Sequence, residues 1–147
     1  MRGDVHGSVD AYSVLGVGAR GEFAIVPNGF LSGRARDELA LSFGAELFLA
    51  PTGIGWNYYS GGAYAIPIAA AQWNFYLGEH WSVFPEFGVA VRVDFEQSGW
   101  TDRQGSYHGW IYPQLDAGFG ARYHFDGRVA LLMRASTPGG LQFGVVF

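Results

Sequence analysis

The chain has neither cysteine nor lysine, and each absence narrows its chemistry. Without thiols there is no disulfide framework, no thiolate metal site and no cysteine nucleophile. Nine arginines stand against thirteen acids, a net charge of −4, and they are scattered along the chain. No basic stripe is present to neutralise a phosphate backbone, so nucleic acid is not an expected partner. Charged residues make up only 15 % of the chain, against roughly 25 % in ordinary soluble domains. Much of the surface must therefore be apolar or covered. No run reaches the ~18 to 20 consecutive apolar residues of a membrane helix. Met1-Arg2-Gly3-Asp4 is not followed by the apolar core of a secretory signal, so an exported protein would stand here in its mature form.

What the chain does have is glycine (23 residues), aromatic side chains (17 %) and a period of two. At 147 residues it has the length of one domain. Seven segments alternate, and they keep the same parity throughout. In 12 to 26, Leu15, Val17, Phe23 and Ile25 oppose Gly16, Gly18, Arg20 and Glu22; in 38 to 49, Leu39, Leu41, Phe43 and Leu47 oppose Glu38, Ser42, Gly44 and Glu46. Segments 64 to 77, 81 to 95 and 110 to 125 continue the pattern, as do the shorter 129 to 136 and 141 to 147. All ten acidic or arginine residues inside these segments are even-numbered, which a two-faced sheet explains and a helix does not. The longest segments far exceed the usual soluble strand of ~5 to 6 residues, whereas a tilted membrane strand needs ~9 to 11 residues in the hydrocarbon alone.

Tight turns are expected at Gly78-Glu79-His80, Asp126-Gly127-Arg128 and Thr137-Pro138-Gly139-Gly140, with longer loops over 50 to 63 and 96 to 109. Neighbouring strands should then be antiparallel hairpin partners. Arg34 and Arg36 with Asp37 and Glu38 read as a solvated connection. Prolines 67, 85 and 113 lie inside segments, where each removes a ladder donor, so bulges or strand ends are expected there.

The even row carries glycines and a few charges of mixed sign where a water-exposed strand would carry Thr, Lys or Glu. That fits the lumen of a narrow barrel, which has just enough room for side chains. The odd row carries no charge within the seven segments, and its rings gather near strand ends: Trp73 and Phe75, Trp81, Tyr123 and Phe125, and Phe147. This predicts an aromatic girdle on an outward apolar band, with shorter connections on the periplasmic side. In lipid such a sheet must close, because an open edge leaves backbone groups unmet. The expected fold is an all-β, antiparallel, up-and-down transmembrane barrel spanning 1–147. Eight strands are favoured, since single-chain bacterial barrels have even numbers. The eighth comes from residues 1 to 10 as a poor or partial first strand, from a strand upstream, or from another chain.

The stretches Gln72-Trp73-Asn74-Phe75-Tyr76-Leu77 and Trp81-Ser82-Val83-Phe84-Pro85-Glu86, with Gly120-Ala121-Arg122-Tyr123-His124-Phe125, resemble the middle and following hairpins of a poorly characterised family of small eight-stranded outer-membrane barrels of Gram-negative bacteria. The resemblance covers roughly residues 12 to 147. It implies an outer-membrane location, contact with membrane lipid or detergent, and recognition of a C-terminal signal by the barrel-insertion machinery. Phe147, Val145 and Phe143 match that signal, while Gln142 stands where the family usually has glycine.

The interior polar set is Arg20, Glu22, Glu46, Glu86, Arg92, Asp94, Asp116, Arg122, His124 and Arg134. Five carboxylates face four arginines and one histidine, so mutual pairing is the cheapest arrangement and a salt-bridged plug is expected. A Ser136, His124 and Asp116 triad fails, because residues eight apart on one strand are ~26 Å apart. No catalysis, cofactor or metal is expected; His6, His80, His108 and His124 have no paired ligand spacing. Trp56, Tyr58, Tyr59, Trp100, Tyr107 and Trp110 form a candidate outer-loop binding surface, or rest on lipid headgroups. The favoured function is a structural, adhesive or surface-binding outer-membrane barrel. The alternatives are a soluble or periplasmic barrel holding an apolar ligand, and a small pore or lipid-modifying membrane enzyme.

Overall fold

The structure is a computed structural model that describes residues 1–10, 14–31, 36–50, 62–95, 111–125 and 128–147. Eight strands form one closed barrel in sequence order: β1 (Arg2–Val9), β2 (Leu15–Val26), β3 (Arg36–Ala50), β4 (Gly62–Leu77), β5 (Trp81–Asp94), β6 (Ile111–His124), β7 (Ala130–Thr137) and β8 (Gly140–Val146). Every neighbouring pair is antiparallel, and β1 pairs with β8 to close the wall. At that seam Gly3 and Phe147 exchange two backbone hydrogen bonds of 2.8 Å each. Closure removes the edges that would otherwise leave rows of unmet N–H and C=O groups.

Residues 1 to 10 therefore supply the eighth strand, and it is a full one, paired along both edges. Its outward row is Gly3, Val5, Gly7 and Val9, so two glycines blank out the apolar half of the alternation. Its inward row is Arg2, Asp4, His6 and Ser8, the last three buried.

Alternation runs through the eight strands with even residues inward, and breaks at the end of β2, where Phe23, Ala24 and Ile25 are all exposed. The outward row is apolar and exposed: Val17, Leu49, Phe87, Leu115, Phe119 and Phe143 are each more than half accessible. Two features depart from a simple two-faced reading. Inside, the lumen is not polar throughout. Phe48, Tyr64, Ile66, Ile68, Ala70 and Ala90 form one buried apolar cluster, and Phe84, Ala130, Leu132 and Val146 form another. On β4 both rows are apolar from residue 63 to 71, so no alternation marks the inward residues there. Outside, Asp37 belongs to β3 and lies on the outward row.

The prolines do not mark bulges. β4 and β5 keep one register from Tyr64↔Asp94 to Leu77↔Trp81, and pairing lapses at residues 66 to 67, opposite Arg92 and Val91, and at 73 to 74, opposite Pro85 and Phe84, so Pro67 and Pro85 each leave a gap in the ladder without a bulge. Pro113 stays paired with Val91 on β5. The Ala117 carbonyl points toward β7, where Thr137 Oγ1 donates to it at 3.4 Å. Residue 113, four earlier, turns its backbone the same way, and β7 has no partner there because the β6–β7 pairing begins at Ala117↔Thr137. The missing N–H of Pro113 thus falls on an unpaired edge, where it costs nothing. The register shift among the described pairings lies in β2 between Ala24 and Val26.

The wall is uneven. β3 to β6 have 14 to 16 residues, while β7, β8 and β1 have 7 or 8. Both chain termini and the connections β2–β3, β4–β5 and β6–β7 share one end of the barrel. The connections β1–β2, β3–β4, β5–β6 and β7–β8 share the other. The tight turn at Pro138 and Gly139 therefore lies at the same end as the two longest loops, not with the other tight turns.

Glycine on the inward row creates room for large partners. A Cβ on Gly120 would run into the Phe84 ring, which already lies beneath the Arg122 guanidinium at 4.3 Å. Gly120→Val is expected to lower stability by about 1–3 kcal/mol through overpacking. A urea titration in detergent micelles checks this; an unchanged midpoint would mean that Phe84 is free to move.

Candidate functional site

The candidate site is the lumen, where strand alternation delivers charged side chains from six strands to one narrow space. Arg20 on β2 donates through Nη2 to Glu46 Oε1 on the neighbouring β3 at 2.9 Å and reaches across the lumen, where Nη1 donates to Glu86 Oε1 at 3.3 Å and Asp116 Oδ2 lies 3.9 Å away. Arg134 on β7 meets Glu86 at 3.4 Å and Asp4 at 3.5 Å, and donates to Gln142 Oε1 at 3.0 Å. His6 Nδ1 lies 2.6 Å from Asp4, and its Nε2 lies 3.8 Å from Glu46. Glu46 is the hub on this side, accepting also from Ser8 Oγ at 3.2 Å and Gln142 Nε2 at 2.7 Å.

A second layer sits nearer the end with the termini. Arg122 pairs with Glu22 and donates to Asn74 Oδ1 at 2.9 Å. Arg2 bridges Glu22 and Glu38 and donates to the Tyr76 hydroxyl at 2.7 Å. Phe84 separates the layers, with Arg122 over its ring at 4.3 Å and Arg134 at 5.5 Å. Both contacts are within cation–π reach. Arg20, Glu22, Glu46, Glu86, Asp116, Arg122 and Arg134 are all at most 4 % exposed. At this depth mutual pairing is the least costly state for the charges; Asp116 is the weakest member, both its oxygens lacking a hydrogen-bond partner and meeting Arg20 only at 3.9 Å.

Three members of the sequence-derived set lie elsewhere. Arg92 and Asp94 pair with each other at 2.8 Å at the end with the long loops, both about a third exposed. There Arg92 stacks 3.9 Å above the Tyr64 ring, and the Tyr64 hydroxyl donates to Asp10 Oδ2 at 2.8 Å. His124 sits at the opposite mouth, its Nε2 2.9 Å from Ser82 Oγ. These three fall outside the central network because β5 and β6 run well beyond its level at one end and His124 terminates β6 at the other. Arg2, Asp4, His6 and Ser8 on β1, with Glu38 on β3, are network residues that sequence reasoning missed. The signal on β1 was a four-residue polar row at even positions, on the parity kept by the rest of the chain.

Asp116, His124 and Ser136 stay apart: Asp116 faces Arg20, His124 faces Ser82, and Ser136 Oγ accepts from Gln142 Nε2 at 3.4 Å. The Ser82–His124 contact resembles a nucleophile and its base. Ser82 is fully buried, and the His124 ring lies beside the Tyr76 ring, 6.2 Å between centroids. Among the described residues no three His, Cys, Asp or Glu side chains could hold a metal ion.

Arg36, Asp37 and Glu38 are strand residues, not a solvated connection. Glu38 pairs with Arg2, Arg36 lies 5.3 Å from the Tyr76 ring, and Asp37 is buried; Arg34 lies outside the described residues. The rings expected to form a girdle cluster at the end with the termini: Trp73 with Phe75 at 4.9 Å, Trp81 with Tyr123 at 5.1 Å, and Tyr123 with Phe125 at 5.3 Å. Phe143, Val145 and Phe147 line the outward face at the β8 end. Trp56, Tyr58, Tyr59, Trp100, Tyr107 and Trp110 lie outside the described residues, as does His108.

A closed eight-stranded antiparallel wall, apolar outside and charged within, is the architecture of the small transmembrane β-barrels. The fold is that of a solved member of the class: the structure of the Yersinia pestis outer membrane protein Ail in a phospholipid bilayer nanodisc superposes with a TM-score of 0.52 over 99 % of this chain and 97 % of that one, at 12 % identity. No protein family matches the sequence, and no curated protein does.

Proposed function

We propose that this protein is a bacterial outer-membrane barrel whose lumen is plugged by its own salt bridges and whose work is done by the loops at one end. The observation that carries this reading is the pairing of opposite properties on one wall: an exposed apolar outward row and a lumen in which Arg20, Arg122 and Arg134 are buried among their carboxylates. A soluble barrel around an apolar ligand would need the reverse, with the apolar row inside. The connections β3–β4 and β5–β6 open at the same end, away from both termini. We assign that end to the cell exterior and the end with the termini to the periplasm, as in barrels with longer external loops. Surface binding or adhesion through those loops then follows, with the lumen a structural plug and no catalytic role. Phe143, Val145 and Phe147 serve as the signal read by the barrel-insertion machinery.

Two measurements test it. The purified chain should require detergent and migrate faster on gels when unboiled; a monodisperse chain in plain buffer would overturn the membrane reading. Reconstituted into planar bilayers, it should give no discrete conductance steps. Regular ohmic steps would replace the plug with a pore.

A further inference from the structure

Asp37 is the charged residue on the outward row of the described strands, and it is 3 % exposed. A carboxylate there is tolerable only if its oxygens are satisfied, and three N–H groups satisfy them. Phe30 N donates to Oδ2 at 2.9 Å, Leu31 N to Oδ1 at 3.2 Å, and Trp73 Nε1 to Oδ2 at 2.8 Å. Two of the three donors are backbone groups of the β2–β3 connection, so this segment is folded back against the outer wall. Gly29 makes the approach feasible: its φ is +57°, and a Cβ there would overlap the Asp37 carboxylate. Phe30 then packs edge-on against Trp73 at 6.1 Å, yet 62 % of it stays accessible, and Leu31 is 39 % accessible.

A connection held this firmly would be expected to turn apolar groups inward. This one presents Phe30 and Leu31 outward, continuous with the Trp73 and Phe75 rings, at the end of the barrel that carries the termini. We infer that residues 27 to 31 form a phospholipid-binding finger. Phe30 and Leu31 enter the boundary between headgroups and acyl chains of the periplasmic leaflet, and Asp37 is the group that fixes them there. The inference rests on the membrane reading above. Its occupant is lipid because the finger continues the apolar wall that the membrane reading places in lipid, and apolar side chains such as Phe and Leu bury themselves at the boundary between headgroups and acyl chains.

The absence of cysteine allows a direct test. Full-length Phe30→Cys carries a single nitroxide label in vesicles of phosphatidylcholine and phosphatidylglycerol, and its collision with oxygen and with a water-soluble nickel chelate is measured. Val89→Cys on the mid-wall and Glu79→Cys in the β4–β5 turn are references. The label at position 30 is expected on the lipid side, between the two references, and adding Asp37→Ala should shift it toward the value at position 79. Trp73→Phe, which removes one donor and keeps the carboxylate, should give a smaller shift and stands in should Asp37→Ala fail to fold. A label at position 30 as wet as that at 79, with 89 in lipid, overturns the finger. Positions 30 and 89 both in water overturn the membrane reading instead. A lipid-side label that neither substitution moves would remove Asp37 from the proposal.

Discussion

Replacing Arg20 with methionine is expected to destabilise the barrel by about 3–5 kcal/mol, because it leaves buried carboxylates without their counter-charge. Arg20 lies between Glu46 at 2.9 Å and Glu86 at 3.3 Å, with Asp116 at 3.9 Å. Its removal sets three acids from β3, β5 and β6 against one another. Methionine nearly preserves the volume, so the loss reports charge and hydrogen bonding more than a cavity. Glu86→Gln in the same chain should recover part of the loss. It relieves repulsion at the cost of one Arg134 contact, and the double-mutant cycle isolates the coupling. Reversible urea unfolding in phospholipid vesicles, followed by heat-modifiable gel mobility, measures both. A variant within about 0.5 kcal/mol of the parent, the range of ordinary surface changes, would mean that water, not Arg20, satisfies these carboxylates. The lumen would then be wet and the plug abandoned. Conductance of the same variant gives a second readout, since a network that blocks ions should leak once its central cation is gone.

The second large effect is expected on the opposite face. Val89 lies mid-way along β5, 58 % exposed, between Ala69 on β4 and Leu115 on β6. An arginine there would sit in the hydrocarbon, at a cost of about 2–4 kcal/mol near the bilayer midplane. Were the wall in water, Val89→Arg would change stability by no more than about 0.5 kcal/mol. The two environments thus differ by a measurable amount at one position. Glu79→Arg, in the exposed β4–β5 turn, is the control and should be neutral. A neutral Val89→Arg would place the outward row in contact with something other than lipid, and the functional reading would change with it.

Strand alternation explains why so much was legible. A residue's parity is a property of the chain, and a register that pairs even with even and odd with odd preserves it from strand to strand, across short and long connections alike. Arg20, Glu22, Glu46, Glu86, Asp116, Arg122 and Arg134 could therefore be assigned to the lumen, and the apolar rows of β5 and β6 to the outside, from the sequence. Where both rows share one character the parity carries no signal. Tyr64, Ile66 and Ile68 face inward among alanines and Pro67, and β1 shows glycine where an apolar row was needed. Both were decided by neighbours: the two edges that pair β1, and the Phe48 ring stacked on Tyr64 at 5.0 Å.

Pairing across the lumen belongs to the tertiary structure alone. Which carboxylate meets which arginine depends on the register of all eight strands, because partners such as Arg20 and Glu86, or Arg122 and Glu22, come from opposite walls. Arg92 and Asp94 carry the right parity but the wrong height, and height is fixed by register. Asp37 is a plainer case. Its sequence position reads as a solvated turn, and only the fold-back of residues 30 and 31 turns it into a buried acceptor of three N–H groups. The sequence by itself determined a two-faced, membrane-length sheet and the side of the wall on which most charges lie, because a period of two needs no partner to be read. The tertiary structure decided closure by β1 and β8, the lumen pairs and the Asp37 anchor, because each requires groups far apart in the chain to arrive at one height on one wall.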